Sequence, residues 1–169
     1  MNGCVGIDFG GVIATSSADY SHGRTGIAHS STPLIARDGV YEALHDVVAA
    51  YAGNVWIVSK AGPGMQAKTL HWFETEDFFA RTGLSANQVR FCLRREDKAQ
   101  ICRDLGITHC VDDRIHIMQI LRNVVPHLYL FGEPGGEKQC PPWATFVQDW
   151  QQVAELLIPS VDDGAPASR

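Results

Sequence analysis

The chain has 169 residues, a formal net charge of −5, five cysteines and no basic run. Its 45% hydrophobic and 20% charged content is that of a folded globular protein, which excludes disorder as the default. The acidic balance disfavours a phosphate-neutralising nucleic-acid surface, and no apolar stretch reaches the length of a membrane span. No basic segment followed by an apolar one opens the chain, so we expect no secretory signal and a cytoplasmic location. Cys4, Cys92, Cys102, Cys110 and Cys140 form no C-x-x-C pair and are expected as reduced, mostly buried thiols. His109 and Cys110 are adjacent and would face opposite ways on a strand, so core packing outweighs a metal site there.

Short apolar runs alternate with helical patterns, the signature of βαβ units and a parallel sheet. A first strand near 4–8, Val5-Gly6-Ile7-Asp8, delivers Asp8 into the turn Phe9-Gly10-Gly11, and Val12 and Ile13 follow at once. Residues 14–37 are polar, contain glycine, lack clear periodicity and read as a flap or loop, of a length that is usually functional or disordered. A helix over about 39–52 puts Val40, Leu44, Val47, Val48 and Tyr51 on one face and stops at Gly53. A strand near 54–58 ends at Ser59, and a helix over about 65–80 carries Leu70, Trp72 and Phe73. Ser85 caps a short turn before a strand near 89–93. Asp97 to Leu105 forms a short helix closed by Gly106, before a strand near 107–111 that ends at Asp112 and Asp113. Arg114 to Val124 is a helix stopped at Pro126, and a fifth strand spans 127–131. A last helix, about 145–157, packs Phe146, Trp150, Val153 and Leu157; these aromatic stripes read as core. We expect one α/β domain over 1–158 and a mobile tail over 159–169, rich in Asp, Gly, Pro and Ala. There is no internal repeat.

An acid at the mouth of a buried strand is costly unless it is used or paired. If the first and fourth strands are neighbours, Asp8, Asp112 and Asp113 converge at one edge of the sheet. Open parallel sheets bind ligands beyond the carboxyl ends of their strands, near the switch in strand order. Ser59 also ends a strand, and Lys98 opens the helix before the fourth. A carboxylate nucleophile, a hydroxyl, a lysine and acidic metal ligands in this order make a phosphoryl-transfer set. Mg²⁺ takes a near-octahedral oxygen shell with few protein ligands, which Asp8, the backbone carbonyl of Gly10 and Asp112 or Asp113 would supply. Gly10 and Gly11 permit the tight turn that lets the amides around Phe9, Gly10 and Gly11 approach a phosphate.

In these residues the chain resembles the haloacid dehalogenase-like (HAD) hydrolases. Asp8-Phe9-Gly10-Gly11-Val12-Ile13 looks like their first motif, whose aspartate attacks phosphorus. Val55-Trp56-Ile57-Val58-Ser59 looks like the second, whose Ser or Thr hydrogen-bonds the phosphoryl group. Lys98 fits the third, where lysine neutralises charge on the aspartyl-phosphate; Lys60 competes for that role, but the spacing to Asp112 favours Lys98. Val111-Asp112-Asp113-Arg114 fits the fourth, which coordinates Mg²⁺. The resemblance spans residue 4 to about 132 and implies a Rossmann-like three-layer sandwich whose five-stranded parallel sheet has the order 5-4-1-2-3. It implies a Mg²⁺-dependent phosphatase acting on a phosphorylated substrate through an aspartyl-phosphate on Asp8.

Two departures stand out. The family's phosphatases usually carry a second aspartate two positions after the nucleophile as general acid and base, and here that position is Gly10. General acid–base catalysis is worth about 10²–10⁴ in rate, and substrates with good leaving groups need it least. His22, His29 or Asp19 in the 14–37 segment are the candidate substitutes, against the plainer reading of solvated loop residues. No insertion is large enough for a cap domain, as in capless relatives that accept larger substrates or close their sites as homo-oligomers.

Plainer readings exist for each residue. Asp8 can cap a turn, Ser59 can bond the backbone, one of Asp112 and Asp113 can cap the next helix, and Arg114 can be their ordinary partner. Arg94 and Arg95 form the only paired basic spot, a solvated loop by default and a substrate-phosphate contact as the alternative. The competing functions are a weakened HAD-fold protein that binds a phosphorylated ligand or protein partner, which Gly10 supports, and a dehalogenase or phosphonatase. An actin-like sugar kinase and a protein kinase share short stretches with residues 6–11, but the chain is too short for either.

Overall fold

A computed structural model describes residues 3–16, 32–133 and 135–158. Six parallel strands form the central sheet: β1 (Val5–Ile7), β4 (Val55–Lys60), β5 (Val89–Cys92), β6 (His109–Asp112), β7 (His127–Phe131) and β8 (Thr145–Val147). Their order is β5-β4-β1-β6-β7-β8. The five expected strands thus stand in the expected sequence, and β8 extends the sheet beyond the fifth. Two short strands, β2 (Ala14–Ser16) and β3 (Leu34–Ala36), pair antiparallel in a separate sheet. The expected 14–37 loop therefore has a two-stranded base. Residues 17–31, with Asp19, His22 and His29, lie outside the described residues, as does the 159–169 tail.

Both faces of the sheet are covered by helices, as a parallel sheet requires. Val5, Ile7, Val55, Ile57, Val111 and Phe131 meet one helical layer, made of α1 (Val40–Ala50), α2 (Pro63–Thr75), α3 (Phe78–Thr82) and α6 (Trp150–Leu157). Cys4, Cys110, Leu128 and Leu130 meet the other, made of α4 (Asp97–Asp104) and α5 (Ile115–Leu121). This is the α/β three-layer fold, and among the described residues no large cap stands over it. No helix among them is long and apolar enough to cross a membrane.

Local chemistry explains most boundaries. Val40, Ala43, Leu44, Val47 and Val48 bury one stripe of α1 at helical spacing. Gly53, at φ 78°, donates its N–H to the Val48 carbonyl at 2.8 Å and closes the helix in the left-handed conformation. Ser85 and Gln88 form a reciprocal capping box before β5.

Two expectations need correction. The helix expected over 65–80 breaks at Glu76–Asp77, where Asp77 adopts φ 50°, and Leu70 is exposed. In one continuous helix, Phe73 and Phe78 would diverge by about 140°. The break returns both to the core, where their rings stack at 4.6 Å. The helix expected over 145–157 begins only at Trp150, because Thr145–Val147 pairs with β7 and Asp149 caps the helix, accepting the Gln152 N–H at 2.8 Å. Phe146 and Val147 then face opposite layers, which a helix would not permit. His109 and Cys110 also face opposite ways, and all five cysteines are free thiols.

Candidate active site

Because β1 and β6 are neighbours, with Ile7 opposite Val111, Asp8 and Asp112 leave adjacent strands at the same level. Asp113 follows at once. The ligand atoms of Asp8, Asp112 and Asp113 all lie within 4.8 Å of one another. Lys98, in the first turn of α4, reaches between them and donates to Asp8 Oδ1 at 2.7 Å and to Asp112 Oδ2 at 2.6 Å. The other oxygen of Asp112 accepts the Arg114 N–H at 3.0 Å, so both are engaged.

Asp113 differs. Its side chain is 1% exposed, yet neither carboxylate oxygen has a hydrogen-bond partner. The Arg114 guanidinium stands 3.8 Å from Oδ1. A buried charge without a partner costs several kcal/mol, about what breaking a buried ion pair does. Burial, then the charges of Asp8 and Asp112, push the Asp113 carboxyl up to about 7. Burial likewise raises Asp112, held to about 6 because Lys98 pulls against it. Burial would lower the Lys98 ammonium, but the charges and hydrogen bonds of Asp112 and Asp8 outweigh it and hold the group above the ordinary lysine range.

Three carboxylates gather here with only Lys98 in hydrogen-bond contact, so the buried cluster is short of positive charge. A divalent cation fits that deficit, and the unpartnered oxygens of Asp113 are where it is least met. The glycine turn adds a backbone oxygen. Arg37 Nε donates to the Gly11 carbonyl at 3.0 Å, and Ile13 and Ala14 donate to that of Phe9. Among the described residues nothing is bonded to the carbonyl of Gly10. Gly11 has φ 84°, and a Cβ there would come to 2.8 Å from Asp113 Cγ, so only glycine lets the turn pass this carboxylate.

A cleft of about 260 Å³ opens over Asp8 and Asp112, with Phe9, Gly10, Ser59, Lys60 and Lys98 in its wall. Sites for drug-sized ligands run from roughly 300 to 1,000 Å³, so this cleft is smaller than such a site. Every expected site residue lies in this cleft except Gly11 and Asp113, which stand behind the turn and against the acids. Ala61, Gly62, Met65, Thr69, Arg95, Arg114 and Ile117 complete the lining. Of these only Arg95 and Arg114 had a sequence signal, and for each the plainer reading came first.

No family model matches the chain, and no curated protein matches it. Solved structures do. One is described as that of a haloacid dehalogenase-like hydrolase from Burkholderia xenovorans LB400, with 16% identity and a TM-score of 0.53, covering 75% of this chain. This chain spans 58% of that one. Another, from Vibrio cholerae, is described as a 3-deoxy-D-manno-octulosonate 8-phosphate phosphatase, with 12% identity and a TM-score of 0.54, covering 91% of this chain and 82% of that one. The chain therefore shares the haloacid dehalogenase-like fold of these structures, the fold that the resemblance implied.

Proposed function

We propose that the chain is a Mg²⁺-dependent phosphatase that transfers a phosphoryl group to Asp8 and then to water. The observation that carries this reading is the buried cluster at the strand ends, where Lys98 bridges Asp8 and Asp112 while neither oxygen of Asp113 has a hydrogen-bond partner. The fold shared with a phosphatase supports it.

Asp8, Asp112, Asp113 and the Gly10 carbonyl would hold Mg²⁺, and the ion would supply positive charge to offset that of the phosphoryl group. Lys98 fixes the Asp8 carboxylate and offsets the charge that builds as its oxygen bonds to phosphorus. Ser59, buried at the end of β4, offers its hydroxyl to the transferred group, with Lys60 beside it. Gly11 gives the turn its shape. The open cleft suits a substrate larger than the cleft itself, or closure by a second copy of the chain.

A second reading, a protein that binds a phosphorylated ligand and turns it over poorly, is favoured by the absence of any side chain at Gly10. The test is Mg²⁺-dependent phosphate release from an activated aryl phosphate. Wild type should turn over and Asp8→Asn should lose at least about 10³-fold. Binding without release in wild type, restored in Gly10→Asp, would select the second reading.

A further inference from the structure

We propose that the site acts on phosphoric anhydrides, in which the departing group is itself a phosphate, and discriminates against alkyl phosphate monoesters. The proposal rests on the phosphoryl-transfer reading above and names its substrate class.

The first observation is that, among the described residues, no carboxylic acid or imidazole stands free in the cleft to protonate a leaving group. Among the described residues its lining has no His, Glu, Cys or Tyr, and Gly10 has no side chain. Its carboxylates are Asp8, aimed at the reaction, and Asp112, whose two oxygens already accept from Lys98 and from the Arg114 N–H. An alkoxide must leave protonated or leave as a base comparable to hydroxide, whose parent acid has a pKa of about 15.7. A phosphate leaving group is held by an acid whose second pKa is about 6. It leaves as an anion and needs no proton.

The second observation is charge. In a chain of net charge −5, Lys60, Arg95 and Arg114 gather around this cleft in addition to Lys98. Among the described residues Lys60 and Arg95 make no ion pair, and Arg114 only the 3.8 Å approach to Asp113. Neighbouring Arg94, by contrast, is tied to Asp97 at 2.8 Å in the first turn of α4. Guanidinium groups match phosphate oxygens in geometry as well as charge. A row of cations beside a nucleophile that lacks an acid partner stabilises a leaving group that departs with its charge.

The step balances without a donor. An Asp8 oxygen bonds to the terminal phosphorus as the bond from that phosphorus to the bridging oxygen breaks. The electron pair stays on the bridging oxygen, and the shorter phosphate departs as an anion beside Lys60, Arg95 and Arg114. Water then attacks the phosphorus of the aspartyl-phosphate, the Asp8 carboxylate is restored, and one proton passes to the orthophosphate product or to solvent. Among the described residues no side chain stands as a free base for this second step, so the aspartyl-phosphate accumulates.

Rapid-quench kinetics with Mg²⁺ test this, using inorganic pyrophosphate, glycerol phosphate and an aryl phosphate on wild type, Asp8→Asn, Gly10→Asp and the double variant Arg95→Gln/Arg114→Gln. Wild type should release about one equivalent of phosphate from pyrophosphate in a burst and then turn over slowly. Glycerol phosphate should react at least about 10²-fold more slowly, and Gly10→Asp should narrow that gap. The arginine variant should raise KM for pyrophosphate about tenfold more than KM for the aryl phosphate. Asp8→Asn should show no burst. A wild type that bursts with the aryl phosphate but not with pyrophosphate, or that cleaves glycerol phosphate as fast, overturns the anhydride proposal and leaves the phosphatase reading standing. No burst or turnover with any probe, in wild type or Gly10→Asp, overturns both.

Discussion

The two ends of β6 solve the same problem in opposite ways. At its start, His109 stacks on His127 with ring centroids 4.5 Å apart, and Tyr51 meets it edge-on at 5.6 Å. Its Nδ1 lies 2.8 Å from Thr108 Oγ1, which also bonds both the N–H and the carbonyl of Cys4. Each of these polar groups has a partner. At its other end Asp112 accepts two hydrogen bonds, while the buried side chain of Asp113 accepts none and meets only Arg114, at 3.8 Å. Buried polar groups in folded proteins are nearly always satisfied. The end that is tied off serves stability, and the other leaves a buried carboxylate without a hydrogen bond, the feature on which the proposed cation site rests.

The largest effect should follow from removing the buried counter-charge that bridges Asp8 and Asp112 at the site end. Lys98→Met would leave Asp8 and Asp112 buried without compensation, at about 3–5 kcal/mol. Thermal unfolding of the metal-free variant should show a melting temperature lower by on the order of 10 °C. An unchanged Tm would mean that the lysine bridge does not hold the two strand ends together.

Asp113→Asn should act in the other direction. Removing the unpartnered charge should raise the Tm of the metal-free protein by several degrees, and it should largely abolish the further rise that millimolar Mg²⁺ produces in wild type. That rise is expected to correspond to about 1–3 kcal/mol. A full Mg²⁺ shift in the variant would remove Asp113 from the ligand set.

The smallest effect separates the two ends by pH. The Asp113 carboxyl is raised to about 7 in the folded chain, so its contribution is favourable below the ordinary carboxylate range and is lost as pH rises through about 7. His109 is lowered, by burial first and then by the neighbouring His127. Its contribution is complete above the ordinary histidine value of about 6.5 and is lost as pH falls through the lowered one. Without metal, Asp113→Asn should therefore remove a gain in Tm on acidification, and His109→Asn should remove a smaller loss. Equal slopes in the two variants would contradict the contrast between the ends of β6.

The expected strands were legible because they are short apolar runs between polar breaks, and those runs have the same meaning in any fold that buries a parallel sheet on both faces. The helix break at Asp77 and the strand Thr145–Val147 were not. Both are periodic enough to read as helix, and what overrides that reading is contact: Phe73 against Phe78, and Phe146 and Val147 against opposite layers. The Asp149 cap was a local sign of where α6 begins, but only the pairing with β7 gives residues 145–147 another place to go.

By itself the sequence determined which residue types end the strands, Asp8, Ser59, Asp112 and Asp113, and that Lys98 opens the helix between, because strand ends and helix starts are written in neighbouring residues. Tertiary structure alone decided that Lys98 bridges to an aspartate 90 positions away, that both oxygens of Asp113 are left unpartnered, and that Arg95 faces the cleft while Arg94 is tied to Asp97. These depend on which surfaces the strand order brings together. A carboxylate's neighbours, unlike its position at the end of a strand, are set by parts of the chain far from it.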